Sequence, residues 1–301
     1  MKPQSILLKC ILCLGSLAML VFTTSVQARI TCTVTSPGFS TAYPMTGGVL
    51  NITAANFTVT CTSNRTAIRT VTYQVGVNNG VNAVGTQNRA RSGASRLNYD
   101  LYSDLGCTNQ WQSTAVNNRI PNPAVTFTVT LGAPVVRTFS YYGCVPAGLT
   151  VPAAGTYTDT VTMTLTGSVS GGGLTLTGGT FPVSIIAPAT CSFSQQPGNI
   201  IFNYTSFSAT DVLANTTFQA TCTNFLPYTI ALDATAGVVS GLNYTLALNT
   251  IGTGGANPLT STGNGVAQTY FVNGTIVAGQ SGTCATGICT GSQAHSLIIT
   301  Y

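Results

Sequence analysis

An internal repeat constrains this sequence more than any other feature, because matching strings in a fixed order require two copies of one fold. Four pairs of strings match in the same order along the two halves: VTCTSN (59–64) with ATCTNF (220–225), LNYDLY (97–102) with LNYTLA (242–247), SYYGCVPAGL (140–149) with YFVNGTIVAGQ (270–280), and TDTVTMTLT (158–166) with AHSLIITY (294–301). The repeat predicts two related domains, residues 29–186 and 187–301.

The composition indicates β-structure in both copies. Charged residues make up only 5% of the chain, and Thr, Asn, Ser and Gly accompany Val, Ile, Tyr and Phe in their place. These residue types favour strands and turns. About six short alternating strands per copy, separated by Gly, Asn and Pro, predict an all-β protein made of two immunoglobulin-like Greek-key sandwiches.

The first 28 residues have the pattern of a secretory signal peptide. Lys2 and Lys9 precede an apolar run from Cys10 to Phe22, and Val26-Gln27-Ala28 is an acceptable cleavage site. A transmembrane helix is the weaker interpretation, because the apolar run is short for a span. The sequence therefore predicts a secreted protein whose mature chain begins at Arg29.

Eight cysteines follow the signal peptide, and in an oxidising compartment an even number indicates disulfides. The repeat preserves two pairs, a third pair closes a tight local loop, and the last pair joins the cysteines that remain. The favoured pairing is Cys32–Cys61, Cys191–Cys222, Cys284–Cys289 and Cys107–Cys144. Four cysteines allow three connectivities, so the pairing is an inference. With one histidine and no CxxC pair, the sequence predicts neither a metal nor another cofactor.

The charged residues argue against an enzyme. The chain contains no Glu, and its single histidine lies in a predicted strand away from any nucleophile motif. Asp100 and Asp104 would face the same side of a strand but lie roughly 13 Å apart, farther than the carboxylate pairs of glycosidases. We therefore predict a non-enzymatic protein without catalytic residues.

The two copies differ where their last strands end. After TDTVTMTLT the first copy continues through a flexible GSVSGGG turn, so a strand can return through Leu174 and Leu176, or through Phe181, Val183 and Ile185. No residue follows Tyr301 in the second copy. We expect this copy to lack its last strand and to leave an open acceptor groove, edged by the alternating residues Leu297, Ile299 and Tyr301, which a strand from another protein fills.

Three strings resemble one known family, the spore coat protein U domain, which includes secreted pilus subunits of the archaic chaperone–usher pathway. They are LNY-x-LY (97–102), YG-x-VPAG (142–148) and GTYTDTVTMTLT (155–166). The resemblance extends over both copies. The second departs from it where GTYTDTV becomes GSQAHSL, with His295 in place of Asp159.

This resemblance implies how the protein would assemble. A periplasmic pilus chaperone supplies the missing strand first, the N-terminal extension of an adjacent pilin subunit replaces it, and an outer-membrane usher secretes the fibre. Only three residues stand between the predicted cleavage site and Cys32, a reach of about 10 Å. The resemblance then implies a subunit that accepts a strand without donating one, which is the position of a tip adhesin at the cell surface.

The adhesive part would be the domain at 29–186, and no nucleic acid partner is expected. Two sets of residues could contact an abiotic or host surface and so support biofilm formation. The candidates are apolar side chains in two loop stretches, Tyr43, Met45, Val135 and Val136, and a basic set, Arg65, Arg69, Arg89, Arg91 and Arg96. The apolar side chains could instead pack in the core, and the arginines could serve solubility alone. Trp111 is read as core or rim packing.

Two other functions stay open on the sequence. One is a structural coat or pilus shaft protein of the same fold without its own binding site. The other is a secreted carbohydrate-binding module, which would require a polar pocket rimmed by aromatic side chains.

Overall fold

The computed structural model describes residues 29–43, 50–149, 152–284 and 288–301, so the predicted signal peptide and Met45 lie outside the described residues. In the described part every regular element is a β-strand except for a 3-10 turn at Val116–Asn118, which confirms the all-β prediction. The strands form two units that share no sheet. They are more numerous than the six per copy that the sequence predicts, because short edge strands flank the long ones.

The described residues of the first unit form eleven strands. They are β1 Arg29–Thr35, β2 Phe39–Ala42, β3 Asn51–Ser63, β4 Arg69–Val77, β5 Asn88–Ser92, β6 Ser95–Tyr102, β7 Ile120–Val129, β8 Val135–Val145, β9 Gly155–Val169, β10 Gly173–Thr177 and β11 Gly179–Ala187. They pair in the order β10-β1-β3-β8-β6-β5-β9-β11-β2, and β4 joins β9 to β7.

Alternation along these strands builds a core between two layers. In β9 the odd-numbered positions from Tyr157 to Leu165 are buried and the threonines between them face out. The centre of the core is aromatic. Phe57 stacks on Trp111 with ring centroids 5.0 Å apart, and Trp111 is stacked on Phe181 at 6.3 Å. The buried Trp111 indole N–H donates to the Val75 carbonyl oxygen at 2.7 Å, which confirms its interpretation as a core residue.

The described residues of the second unit form eight strands and a smaller core. They are β12 Cys191–Gln195, β13 Val212–Cys222, β14 Pro227–Leu232, β15 Ala236–Val239, β16 Leu242–Asn249, β17 Leu259–Thr262, β18 Ala267–Ile276 and β19 Leu297–Thr300. One sheet has the order β12-β13-β18-β16-β15, and the other has the order β17-β14-β19. Phe218, Ile230, Leu248 and Tyr270 are buried between the two sheets.

The described residues contain four disulfides, with the pairing that the sequence favoured: Cys32–Cys61, Cys107–Cys144, Cys191–Cys222 and Cys284–Cys289. The first pair of each unit joins directly opposed residues on the first two strands of a sheet, with a Cα–Cα distance of 4.1 Å in both units. The repeat in sequence is therefore a repeat in structure.

An isolated bridge between Ala153 and Asn224 joins the first unit to the second. Among the described residues, no helix has the length and hydropathy needed to cross a membrane.

Candidate functional site

The strand β9 of the first unit is covered on both edges. It pairs antiparallel with β4 on one side, and on the other with β11, from Gly179 opposite Met163 to Ala187 opposite Gly155. The second edge of β11 pairs in parallel with β2, where Val183 lies opposite Phe39. Thus β11 occupies a slot between β9 and β2 and completes the sheet.

The residues that the sequence proposed for the closing strand point inward from β11. Phe181, Val183 and Ile185 are all buried in the core of the first unit. The alternative return through Leu174 and Leu176 also forms a strand, β10, but this strand pairs in parallel with β1 at the far edge of the sheet. Both segments therefore return to the first unit, and β11 is the one that lies beside β9.

The strand β19, which corresponds to β9, is covered on one edge. It pairs antiparallel with β14, from Thr229 opposite Thr300 to Leu232 opposite Leu297. No other strand of the described residues pairs with β19, so it forms the border of its sheet. An uncovered strand edge offers a row of backbone N–H and C=O groups to any strand that can pair with it.

Residues 200–204 of the second unit have no strand partner among the described residues. Gly143 of β8 and Gly274 of β18 occupy matching positions in the repeat, and the space beside each is filled by an aromatic ring. The ring is Phe39 in the first unit and Phe202 in the second. The segment around Phe202 thus corresponds to β2, although it is not paired as a strand. In the first unit β11 lies between β9 and β2, and we name the corresponding place in the second unit, between β19 and segment 200–204, the acceptor groove.

Apolar side chains of β19 are only partly covered in this groove. Leu297 and Ile299 pack against the core of the second unit but stay half-buried, whereas their counterparts Val161 and Met163 in β9 are fully buried. Ile298, on the other face, is 55% exposed. Tyr301 lies one residue beyond β19 and is exposed, so the groove-facing residues within the strand are Leu297 and Ile299.

Sequence reasoning missed the second edge of the groove, which Ile200, Phe202 and Tyr204 form. All three are half-buried against the core of the second unit. The Tyr204 hydroxyl donates to the Gln280 carbonyl oxygen at 3.1 Å and accepts from the Gln280 N–H at 2.8 Å, which fixes one end of the segment. A Pro-Gly pair precedes the aromatic residue in both copies, at 37–38 and 197–198, and this shared feature could have located the segment.

Asp159 and His295 occupy matching positions and contact matching tyrosines. Tyr99 donates to Asp159 Oδ2 at 2.7 Å, and the Tyr244 hydroxyl lies 2.6 Å from His295 Nε2. Burial and the neighbouring Asp159 carboxylate both raise the pKa of Tyr99 well above its usual value. The substitution of Asp by His therefore keeps the cross-sheet hydrogen bond.

The Asp233 carboxylate holds the start of β19. His295 Nδ1 lies 2.8 Å from Asp233 Oδ1, and the Ser296 N–H donates to Asp233 Oδ2 at 3.0 Å. The hydrogen bond from His295 is the main cause that lowers the pKa of the Asp233 carboxyl, and the Ser296 and Ala234 N–H groups add to it. These contacts tie the beginning of β19 to the residue that follows β14.

The predicted surface residues lie at opposite ends of the first unit. The loops 63–69, 130–134 and 170–172 meet at the end opposite Ala187, the last residue of β11, and we name it the outer end. Arg65 and Arg69 lie there with the start of β8: Arg69 donates to the Ser170 carbonyl oxygen at 3.1 Å. Val136 is 54% exposed, whereas Val135 is half-buried against the core.

The remaining candidates lie elsewhere. Tyr43 is only 1% exposed, so its reading as a surface contact is wrong: its ring closes the core where β2 ends. Arg89, Arg91 and Arg96 are on the β5–β6 hairpin, where Arg91 lies opposite Thr158 near the start of β9. They are thus far along the sheet from Arg65 and Arg69, and the five arginines do not form one patch.

A family model, the Spore Coat Protein U domain, matches residues 18–164 and 177–251, which is more than half of the chain. The chain belongs to the Spore Coat Protein U domain family. This finding confirms the resemblance carried by the LNY, YG-x-VPAG and GTYTDTVTMTLT strings. No curated protein matched the sequence.

Membership of this family supports the prediction of a non-enzymatic protein. The two carboxylates considered for catalysis accept local hydrogen bonds. Asp104 accepts from the N–H groups of Thr108 and Asn109 within its own turn. Asp100 accepts from the side chains of Gln87 and Gln110.

Two solved structures are among those similar to this chain. One is the chaperone–tip adhesion subunit pre-assembly complex of CsuC and CsuE from the archaic chaperone-usher Csu pili of Acinetobacter baumannii, with 12% identity, a TM-score of 0.41, and coverage of 90% of this chain and 100% of that chain. The other is the CupB6 tip adhesin from Pseudomonas aeruginosa, with 9% identity, a TM-score of 0.42, and coverage of 91% and 95%.

Proposed function

We propose that this protein is a chaperone–usher pilus subunit whose second unit, residues 188–301, accepts a donor strand from another chain. The observation that supports the proposal is the difference between the two copies of one fold. The strand β9 has neighbours on both edges, whereas β19 has β14 alone among the described residues. Strand addition at such an edge is an established mode of protein association.

The first unit supplies a template for the donor strand. A strand in the acceptor groove that follows β11 runs antiparallel to β19 and parallel to segment 200–204. Apolar side chains at every second position, like Phe181 and Val183, then cover Leu297 and Ile299. Main-chain hydrogen bonds give such a strand its affinity, and its alternate side chains give specificity.

The partners in this proposal act in succession. A periplasmic chaperone covers the groove first, a strand of an adjacent pilin subunit replaces it, and an outer-membrane usher exports the fibre to the cell surface. This order keeps Leu297 and Ile299 from being exposed at any step, which matters because an open apolar edge promotes aggregation.

The first unit, residues 29–187, is the adhesive domain in this proposal, and the protein sits at the pilus tip as an adhesin. This unit carries its own closing strand β11, so it has no slot for a donor. Its outer end exposes Ile68, Leu131 and Val136 beside Arg65 and Arg69. Exposed apolar side chains in a cluster suit attachment to abiotic or host surfaces and the start of a biofilm.

A synthetic peptide with the sequence of β11, GTFPVSIIA, tests the groove. We expect it to bind the mature chain and to raise the unfolding temperature of the second unit. The control peptides place Asp at the position of Val183, which is buried in β11, or at that of Ile186, which is exposed. The first should fail to bind and the second should bind, because only the Val183 position faces the core.

Co-purification with a pilus chaperone tests the assembly pathway. Capture by the chaperone, followed by release on addition of GTFPVSIIA, is the expected result. A monomer that is stable alone and does not bind the peptide would contradict the proposal, and would favour a coat protein or a carbohydrate-binding module.

A further inference from the structure

The hairpin of β5 and β6 places two arginines directly opposite each other. Its turn has two central residues, Gly93 and Ala94, and Gly93 has a φ of 54°, a conformation that favours glycine at this position of a tight hairpin. Ser92 and Ser95 are the pair next to the turn, Arg91 and Arg96 are the second pair, and both arginines are exposed. Like charges directly opposite in a sheet are unfavourable, so this pair needs a reason other than stability.

The two guanidinium groups converge on a single carbonyl. Arg91 Nε donates to the Gly93 oxygen at 2.8 Å, and an Arg96 terminal nitrogen donates to the same oxygen at 3.1 Å. Among the described residues no carboxylate forms an ion pair with Arg91 or Arg96. Since each guanidinium has five N–H donors, most of those on the pair are left to face solvent.

Further polar groups surround the pair. Arg89 extends from the same face of β5, with its Nε donating to the Asn82 carbonyl oxygen at 3.3 Å, and Asn98 lies opposite it on β6. Thr158 of β9 lies opposite Arg91 and is exposed. Three cations and several hydroxyl or amide groups therefore share one surface, which we name the arginine hairpin.

We propose that the arginine hairpin binds an anionic polysaccharide, through sulfate, phosphate or carboxylate groups that bridge Arg91 and Arg96. Guanidinium groups pair with such oxyanions in a bidentate geometry. Asn98 and Thr158 then supply hydrogen bonds to sugar hydroxyls. An anion between the two arginines also removes their mutual repulsion.

The composition of the hairpin favours a polysaccharide over other polyanions. Within residues 88–98, all of them described, no aromatic side chain is exposed for base stacking, which single-stranded nucleic acids use for binding. The same range exposes no large apolar side chain that could insert into a bilayer. The site lies near the start of β9 and so at the opposite end of the unit from Val136, which makes it separate from the proposed adhesive end.

Binding to dextran sulfate, with uncharged dextran of equal length as the reference, tests this proposal on the full mature chain. We expect the chain to bind dextran sulfate alone. The double variant Arg91→Gln and Arg96→Gln should weaken binding about tenfold or more, because each charged hydrogen bond contributes strongly. The control variant Arg29→Gln and Arg137→Gln removes the same charge at the outer end and should change binding less than twofold.

Three outcomes would overturn the proposal. Equal weakening in the two double variants would show a general charge effect without a site. Failure of the unaltered chain to bind dextran sulfate would remove the ligand class. Tighter binding to a single-stranded oligonucleotide or to vesicles of anionic phospholipid, lost in the Arg91 and Arg96 variant, would assign the site to that partner. Failure of the GTFPVSIIA peptide to bind the acceptor groove would not affect any of these results.

Discussion

Two neighbouring isoleucines of β19 provide a sharp test of the acceptor groove. Ile299 faces the core of the second unit and is half-buried, whereas Ile298 faces the opposite side and is exposed. Replacement of each by Asp introduces the same charge one residue apart. We expect Ile299→Asp to abolish binding of the GTFPVSIIA peptide and Ile298→Asp to leave it nearly unchanged.

The size of the effect follows from what the donor strand buries. A bound donor strand covers the remaining half of the Ile299 side chain, and this burial stabilises the complex by about 1 kcal/mol. A carboxylate at that position would be buried without a partner, at a cost of at least about 3 kcal/mol. The sum of about 4 kcal/mol corresponds to roughly a thousandfold loss of peptide affinity.

Fluorescence anisotropy of a labelled peptide, titrated with each variant, measures this loss. Far-ultraviolet circular dichroism of each variant shows whether the second unit is folded, and the milder Ile299→Ala should cost only about fivefold. Equal losses for Ile298→Asp and Ile299→Asp, with both variants folded, would refute the assignment of the groove to this face of β19.

Three further perturbations test other parts of the structure. Phe181→Ala removes a buried ring of β11 and should destabilise the first unit by about 3–5 kcal/mol in guanidinium unfolding, whereas Ile186→Ala on the exposed face should cost less than about 0.5 kcal/mol. Val136→Asp should reduce adsorption to polystyrene without loss of stability, whereas Val135→Asp should lower stability because that side chain packs on the core; unchanged adsorption would place the contact elsewhere. Because the folded-state pKa of Asp233 is lowered, its contribution to stability is full above pH 4 or so and is lost as the pH falls through the lower folded value. Asp233→Asn should therefore reduce the fall in the free energy of unfolding of the second unit at acid pH, measured by guanidinium unfolding at a series of pH values. An unchanged fall would contradict this role of Asp233.

The faces of the strands could be predicted from the sequence because alternation and the repeat agree. Phe181, Val183 and Ile185 alternate with polar or exposed positions, and the structure buries all three. The cysteines at 32 and 61 recur at 191 and 222 because the same two strands pair in each unit. The alternation of side chains is sufficient to predict which face of a strand points inward when one face is buried and the other is exposed to solvent.

Tertiary packing could not be predicted in the same way. The stretch around Tyr43 has the composition of a turn, yet the ring of Tyr43 fills the core where β2 ends. The five arginines are close in sequence, but the strand register separates Arg65 and Arg69 from the hairpin of Arg91 and Arg96 by the length of the sheet. Segment 200–204 has no strand partner among the described residues, and only the Pro-Gly pair that precedes it marks it in the sequence.

The two copies hold their corresponding strands in different ways, and the difference agrees with a donor that arrives after folding. In the first unit the buried Asp159 accepts hydrogen bonds from the Val81 and Asn82 N–H groups as well as from Tyr99. These contacts hold the loop that contains Val81 and Asn82 against β9. His295 and Asp233 form the corresponding contact in the second unit, and Asp233 is exposed. Exposed ion pairs contribute little to stability. The start of β19 is therefore positioned without being covered, so a donor strand can pair along its free edge without first displacing a part of this chain.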